Sequence, residues 1–256
     1  MNMKVITLLT DFGLDDFYVS SIKGILLKYE KNLNIIDITH NISPFDIKKG
    51  AFILYSTYKT FPKETIHFSI VDPGVGTFRD FLYMEKEGYH FFAPDNGILT
   101  FIYEEYCPLF KIIFPDIWIK EASFTFHGRD LFAPAVGKFL KGEHIEMVPK
   151  PNPVLFEYKK PHKNKKGEVK GSIIYIDRFG NCISNIPYEM VKFGKGKIII
   201  KGKEIALWVT SYKEIPEGKI GILKGSISTL ELAQNMSSLS NFLNINFGDE
   251  VIYTPI

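Results

Sequence analysis

Two rhythms of apolar residues alternate along the first 140 positions. KVITLLT (4–10), LNIIDIT (33–39) and TIHFSIVD (65–72) are short, nearly continuous apolar runs, the pattern of strands covered on both faces. Between them, DFYVSSIKGILLKYEK (16–31) sets Val19, Ile22, Leu26 and Tyr29 at spacings of three and four, which is one face of a helix. IKKGAFILYSTYKTF (47–61) is helix-like as well. Strands alternating with helices predict βαβ units around a mainly parallel sheet. FLYMEKEGYHFFAP predicts a hairpin turning at Glu87-Gly88, and RDLFAPAVGKFL (129–140) a further helix.

The rhythm changes after the lysine-rich stretch KKPHKNKKGEVK (159–170). KGSIIYIDRFGNCISNIP, KGKIIIKGKEIALWVT and EGKIGILKGSISTLELA are short β-type runs divided by Gly, Asn and Pro-Glu-Gly turns, as in a compact antiparallel barrel or sandwich. The expected fold class is therefore an N-terminal α/β domain with a mainly parallel sheet (1–164), followed by a smaller all-β, barrel-like domain (165–256).

Composition narrows the function classes. The 256 residues are 45% hydrophobic and 23% charged, an ordinary globular balance. An excess of 31 Lys+Arg over 29 Asp+Glu is too slight to argue for nucleic acid, and no dense basic, aromatic-interleaved patch appears. With only Cys107 and Cys182, neither a disulfide scaffold nor a cysteine-rich zinc site is expected. The apolar stretch before Asp11 is too short for a signal peptide, and no run approaches a membrane span, so a cytoplasmic protein is expected. There is no GxGxxG after the first strand, no P-loop, no HExxH and no GxSxG, which disfavours nicotinamide dehydrogenases, P-loop kinases and serine hydrolases.

Candidate chemistry sits where strands end. Open α/β sheets bind ligands beyond the carboxyl ends of their strands, and Asp11 and Asp72 occupy that address after two apolar runs. In VDPGVGTFRD (71–80), Arg79 follows Asp72 across a glycine-bearing turn, an acid and a base that can meet over a small substrate. His127 in SFTFHGRDLFAPA and the group Asp177, Asn181 and Asn185 in YIDRFGNCISN complete the set. Taken singly, each also has a plain structural reading as a cap, a turn residue or a core histidine.

Taken together, TDFGLDDFYVSSIKG (10–24), ITHNISPFDIKKGA (38–51), FPKETIHFSIVDPGVGTFRD (61–80), APDNGILT (93–100), FHGRDLFAPA (126–135) and YIDRFGNCISNI (175–186) resemble the S-adenosylmethionine (SAM) hydroxide adenosyltransferases. These SAM hydrolases are relatives of the fluorinases and chlorinases. The resemblance runs in order from about residue 4 to the C-terminus. It implies a homotrimer whose active sites lie between subunits, with no cofactor and no metal. The implied reaction is attack of water or hydroxide on C5′ of SAM, giving adenosine and L-methionine. The family's catalytic set falls on Asp72, Arg79 and His127. Its substrate contacts fall on Asp11 at the ribose hydroxyls, Phe45 against the substrate, and Asp16 and Asp177 near the methionine ammonium. Asn181 matches the residue reading adenine and Tyr212 the aromatic stacked on it. Ser226, Glu231 and the Met236 backbone match the remaining contacts. The chain departs from the family at Ser20 and Ser228, where members commonly carry glycine.

Two other readings compete. SAM-dependent halogenases resemble this chain but carry Tyr, Thr and Ser at the positions of Asp72, Val75 and Gly128, residues that line a halide pocket. A SAM-sensing or nucleoside-binding module without turnover would keep the adenosine contacts and have no use for Arg79 or His127.

Overall fold

Strand β1 (Lys4–Thr10) opens the chain, with five consecutive buried residues, and α1 (Tyr18–Tyr29) follows with Val19, Ile22 and Leu26 on its buried stripe. The computed structural model describes residues 4–256. Next come β2 (Leu33–Thr39), α2 (Ile47–Thr57) and β3 (Ile66–Ile70), with the Asp46 carboxylate capping α2 by accepting from the Lys49 amide. The chain continues through β4 (Phe81–Lys86), β5 (Tyr89–Pro94), β6 (Leu109–Ile112), α3 (Asp116–Glu121), α4 (Ala133–Lys141) and β7 (Met147–Pro149). Residues up to Phe156 form one compact unit and Glu157–Ile256 a second.

The first unit holds a seven-stranded sheet in the order β2-β1-β3-β5-β4-β6-β7. Its β2-β1-β3-β5 side is parallel, whereas β5-β4, β4-β6 and β6-β7 pair antiparallel. The expected mainly parallel sheet is thus a mixed one. The cause is local: Glu87 (φ 52°) and Gly88 (φ 76°) are both left-handed, the geometry of a two-residue hairpin whose twist matches its strands. That hairpin forces β4 antiparallel to β5, and β6 and β7 join antiparallel through longer connections.

Crossovers place α1 and α2 on opposite faces of the sheet. Ile22 and Leu26 of α1 join Ile6, Leu8 and Phe68 in one apolar cluster, together with Val136 and Leu140 of α4. Ala51 and Leu54 of α2 join Leu9, Val71 and Phe91 in another. Because the first crossover turns one way from β1 and the second returns over it to β3, the sheet's topological switch point lies between β1 and β3.

The named strands of the second unit all pair antiparallel. Its strands are β8 (His162–Lys163), β9 (Val169–Ile176), β10 (Cys182–Pro187), β11 (Gly196–Ile200), β12 (Lys203–Ile205), β13 (Ile220–Lys224), β14 (Thr229–Gln234) and β15 (Glu250–Pro255), with α5 (Leu239–Leu243) before β15. The order β12-β11-β15-β9-β10-β14-β13 nearly closes on itself, because residues 207–209 after β12 bond to Ile222 of β13. The interior is filled by Val169, Ile173, Ile198, Leu230, Leu232 and their neighbours.

One core residue makes stability depend on pH. His67 is fully buried on β3, its Nδ1 2.8 Å from Thr7 Oγ1 and its ring stacked on Phe91, while Nε2 has no protein partner. Burial, helped by the charge of His90, pushes its pKa down to about 4. The unfolded chain takes up this proton near the ordinary value of about 6.5 and the folded chain does not, so stability falls as pH drops from about 6.5 to about 4, by up to ~1.4 kcal/mol per unit. Urea unfolding at pH 4.5, 5.5 and 6.5 should show that slope in the wild type and a shallower one in His67→Gln. Equal slopes would assign the acid lability to other groups.

Candidate active site

At the switch point, β1 runs into Asp11 and β3 into Val71-Asp72, so two carboxylates leave adjacent parallel strands at the same edge. The chain after Asp72 then folds back on itself. Val75 N–H donates to Asp72 O (3.3 Å), Thr77 N–H to Gly74 O (3.1 Å) and Thr77 Oγ1 to the same carbonyl (2.7 Å). Gly76 has φ +81°, and a Cβ there would stand 2.6 Å from the Phe124 carbonyl oxygen. Only glycine allows the loop to lie this close to the segment that carries His127.

The fold-back brings Arg79 onto Asp72. Arg79 Nε donates to Oδ1 (2.8 Å) and Oδ2 (2.9 Å), and Nη2 donates to Oδ2 as well. With side chains 8% and 5% exposed, this is a buried ion pair rather than a surface one. Arg79 also lies over the Phe132 ring, 5.2 Å from its centroid. Arg79 Nη1 reaches His127 Nδ1 at 2.9 Å and Thr77 O at 3.3 Å.

A guanidinium can only donate, so His127 Nδ1 must accept, and the ring proton sits on Nε2. Burial lowers the His127 pKa and the Arg79 charge lowers it further, against the opposing charges of Asp72 and Asp130. Neutral imidazole is therefore the resting form. His127 immediately precedes a π-helical turn, Gly128–Phe132, which feeds directly into α4 in place of the single helix expected over 129–140. Asp130 is structural: it pairs with Arg129 (2.6 Å) and accepts from the Ser123 amide (2.9 Å).

Asp11 Oδ2 accepts the Phe45 amide at 2.8 Å and so ties the β1 loop to the β2–α2 loop. Burial pushes the Asp11 carboxyl up, the Phe45 amide works against this, and the Asp72 charge adds to it. Phe45 has φ 69°, and its ring is 70% exposed. Asp16 is exposed in the bend before α1. Beneath Asp11 lies a polar chain that sequence reasoning missed, buried at Thr10 and His40 and open to solvent at Asp37. Thr10 Oγ1 meets His40 Nδ1 at 2.8 Å, His40 Nε2 faces Asp37 at 3.1 Å, and Lys23 holds Asp37 at 2.6 Å.

In the second unit, Asp177 follows β9. Its carboxylate accepts the amides of Phe179 (2.8 Å) and Asn181 (2.9 Å) and the Asn181 side chain (2.9 Å). Asn181 is therefore buried with its amide engaged by Asp177. Tyr212 donates to Glu231 Oε1 at 2.5 Å, and Glu231 is 5% exposed on β14. Burial raises the Glu231 carboxyl, against the Tyr212 bond, and the Asp177 charge raises it further. Ser226 and Met236 are exposed, at turns on either side of β14. The first unit thus joins Asp72, Arg79 and His127 in one hydrogen-bonded chain, with Asp11 near enough for the Asp72 charge to act on it. Asp177, Asn181, Tyr212 and Glu231 form a second set.

The domain models for the SAM hydroxide adenosyltransferase N-terminal and C-terminal domains match residues 6–149 and 171–252. The chain belongs to this family. Its relatives include an (R)-S-adenosyl-L-methionine hydrolase of Methanocaldococcus jannaschii, 36% identical over 97% of this chain and 95% of that protein. Another, from Thermus thermophilus, is 30% identical over 96% of this chain and 98% of its own length. Fluorinases match at 24–26% identity. Among solved structures, an uncharacterized conserved protein of Thermotoga maritima superposes with a TM-score of 0.85 at 32% identity, covering 97% of this chain and 99% of that one. Ser228 is one of the two positions where the resemblance implied glycine. Ser228 holds φ 62° there, the left-handed conformation that glycine adopts without strain. Among the described residues, no group of three or more His, Cys, Asp or Glu is arranged to hold a metal ion. No helix among them is long and apolar enough to cross a membrane.

Proposed function

We propose that the protein hydrolyses S-adenosyl-L-methionine to adenosine and L-methionine, with water or hydroxide attacking C5′. The observation that carries this reading is the hydrogen-bonded chain Asp72–Arg79–His127, with its Asp72–Arg79 pair buried, beside Asp11 at the switch point. A sulfonium leaves without help from an acid or a metal, so the barrier lies in the nucleophile. Water must be held in line with the C5′–S bond and lose a proton as it attacks, and fixing it in a near-attack position supplies a large part of the acceleration.

Each group has a part suited to its contacts. Of the five N–H groups on Arg79, four meet protein acceptors, which leaves one on Nη2 for the attacking oxygen. A permanent cation in a dry setting stabilises hydroxide character on that oxygen. Asp72 keeps the guanidinium in place and accepts a hydrogen bond from the water. His127, neutral and protonated on Nε2, orients rather than deprotonates in its resting form. Asp11 binds the ribose hydroxyls beside Phe45, and Asp16 stands toward the methionine end. Asp177, Asn181, Tyr212, Ser226, Glu231 and the Met236 backbone serve the adenine and methionine ends. As the resemblance implies, these two sets act together across subunits of a homotrimer, which sedimentation of the purified protein tests directly. Halide in place of water is disfavoured because the Asp72 carboxylate would repel it and Val75 offers no hydroxyl.

The test is incubation with SAM in halide-free buffer made with ¹⁸O water. Stoichiometric methionine and adenosine carrying ¹⁸O at the 5′ oxygen are expected. SAM that binds yet stays intact, with or without added chloride or fluoride, would overturn the hydrolase reading in favour of a sensor.

A further inference from the structure

Strand β5 lies between β3 and β4, so the loop that leaves β3 and enters β4, residues 71–80, has to cross the carboxyl end of β5. The turn Pro94-Asp95-Asn96-Gly97 sits at that end and touches both feet of the crossing loop. At the β3 foot, Asn96 Nδ2 donates to the Val71 carbonyl at 2.7 Å, one residue from Asp72. At the β4 foot, the Asp95 amide donates to the Asp80 carbonyl at 2.9 Å, one residue from Arg79. Lys150 closes the β4 foot a second time by bridging Asp80 (2.9 Å) and Asp95 (3.0 Å).

Asn96 is itself held for this task. Its amide bonds back to Pro94 O (3.0 Å), and its Oδ1 accepts from Ile98 N–H (3.2 Å), so Nδ2 points away from the turn. Asp95 is 7% exposed, and its other oxygen accepts the Val154 amide at 2.7 Å. The Arg79 foot is thus braced by an amide and a lysine. At the Asp72 foot, among the described residues, the side-chain tie that comes from outside the loop is Asn96.

We propose that Asn96 is a positioning residue for the hydrolysis, setting the Asp72 carboxylate, and through it Arg79 and His127, by holding the Val71 carbonyl. This rests on the hydrolase reading for its chemistry, but the restraint on the loop does not. A carboxylate at this position would keep the bond to Ile98 and lose the donor, placing two acceptors face to face at Val71. Asn96→Asp therefore removes the tie while leaving shape and turn intact.

The experiment measures amide hydrogen exchange and steady-state kinetics on wild type, Asn96→Asp and Asn96→Ala, with rates expressed per folded molecule. Exchange across residues 72–80 should quicken by about tenfold or more in both variants while β1 and β3 keep their protection. The kcat should fall by about 10- to 100-fold with KM within about threefold, as expected when reacting groups are displaced rather than binding lost. A lowered melting temperature with unchanged kcat per folded molecule and unchanged loop exchange would reduce Asn96 to a stabilising turn residue and overturn the proposal. If the wild type does not hydrolyse SAM, the hydrolase reading falls alone, and unchanged loop exchange in both variants would still overturn the restraint. Asn96→Ala keeps the test open should the aspartate variant fail to fold.

Discussion

Replacing Arg79 by leucine will lower kcat for SAM hydrolysis by about 10²–10³-fold, the scale on which a single pre-placed electrostatic donor acts. Stability should fall at the same time, because Asp72 would remain buried with no counter-charge. Removing one partner of a buried ion pair costs about 3–5 kcal/mol, whereas replacing both by neutral groups of similar size is often nearly neutral. The pair is buried on both sides and joined through Nε and Nη2, so Arg79 belongs to that class rather than to exposed ion pairs. The double variant Asp72→Asn/Arg79→Leu should therefore regain most of the lost stability while activity stays at background. Urea unfolding and single-turnover kinetics on the three proteins check this. If activity returned together with stability in the double variant, the pair would be a structural tie and not part of the chemistry.

The second large effect is expected at Gly76. Alanine there meets two obstacles: a φ of +81°, and a Cβ 2.6 Å from the Phe124 carbonyl oxygen, which is backbone and cannot swing aside. The loop must then withdraw from the 123–127 segment, stretching the 2.9 Å contact between Arg79 and His127. Displacement of that order costs about 10²-fold in rate. Gly88→Ala is the matched control. Its φ is +76°, but a Cβ meets nothing closer than 3.5 Å, at the flexible Lys63 side chain. It should lose about 1 kcal/mol from the left-handed backbone and leave kcat unchanged. Equal kinetic losses in both variants would mean that backbone strain, and not the approach to Phe124, governs Gly76.

Local order in this protein is written locally. The spans of β1 and β2, the stripe of α1 and the Glu87-Gly88 hairpin all appear where apolar period and turn chemistry place them. Each depends on neighbours within a few residues. The residues of the site were legible for a different reason: six motifs in fixed order resemble one family, and no single one would have pointed to it. Asp130 stands in one of those motifs, yet it pairs with its neighbour Arg129 and accepts the Ser123 amide. What could not be read was the function of APDNGILT. Asn96 looks like any turn asparagine, and no spacing rule places it under a carbonyl 25 residues away.

The sequence by itself determined β1, β2, β3, α1, α2, the β4–β5 hairpin, the change to a β-rich second unit and the choice of candidate catalytic groups. Only the tertiary structure decided how they combine. It inserts β5 between β3 and β4, obliging the Asp72–Arg79 loop to cross a strand end. It pairs the short strands β6, β7 and β15, whose partners lie far along the chain. It also gives His127 its neutral tautomer, by setting a guanidinium against Nδ1. Apolar period and turn chemistry act over a few residues, whereas strand insertion and charge burial depend on which distant segments meet, and that is settled only when the chain packs.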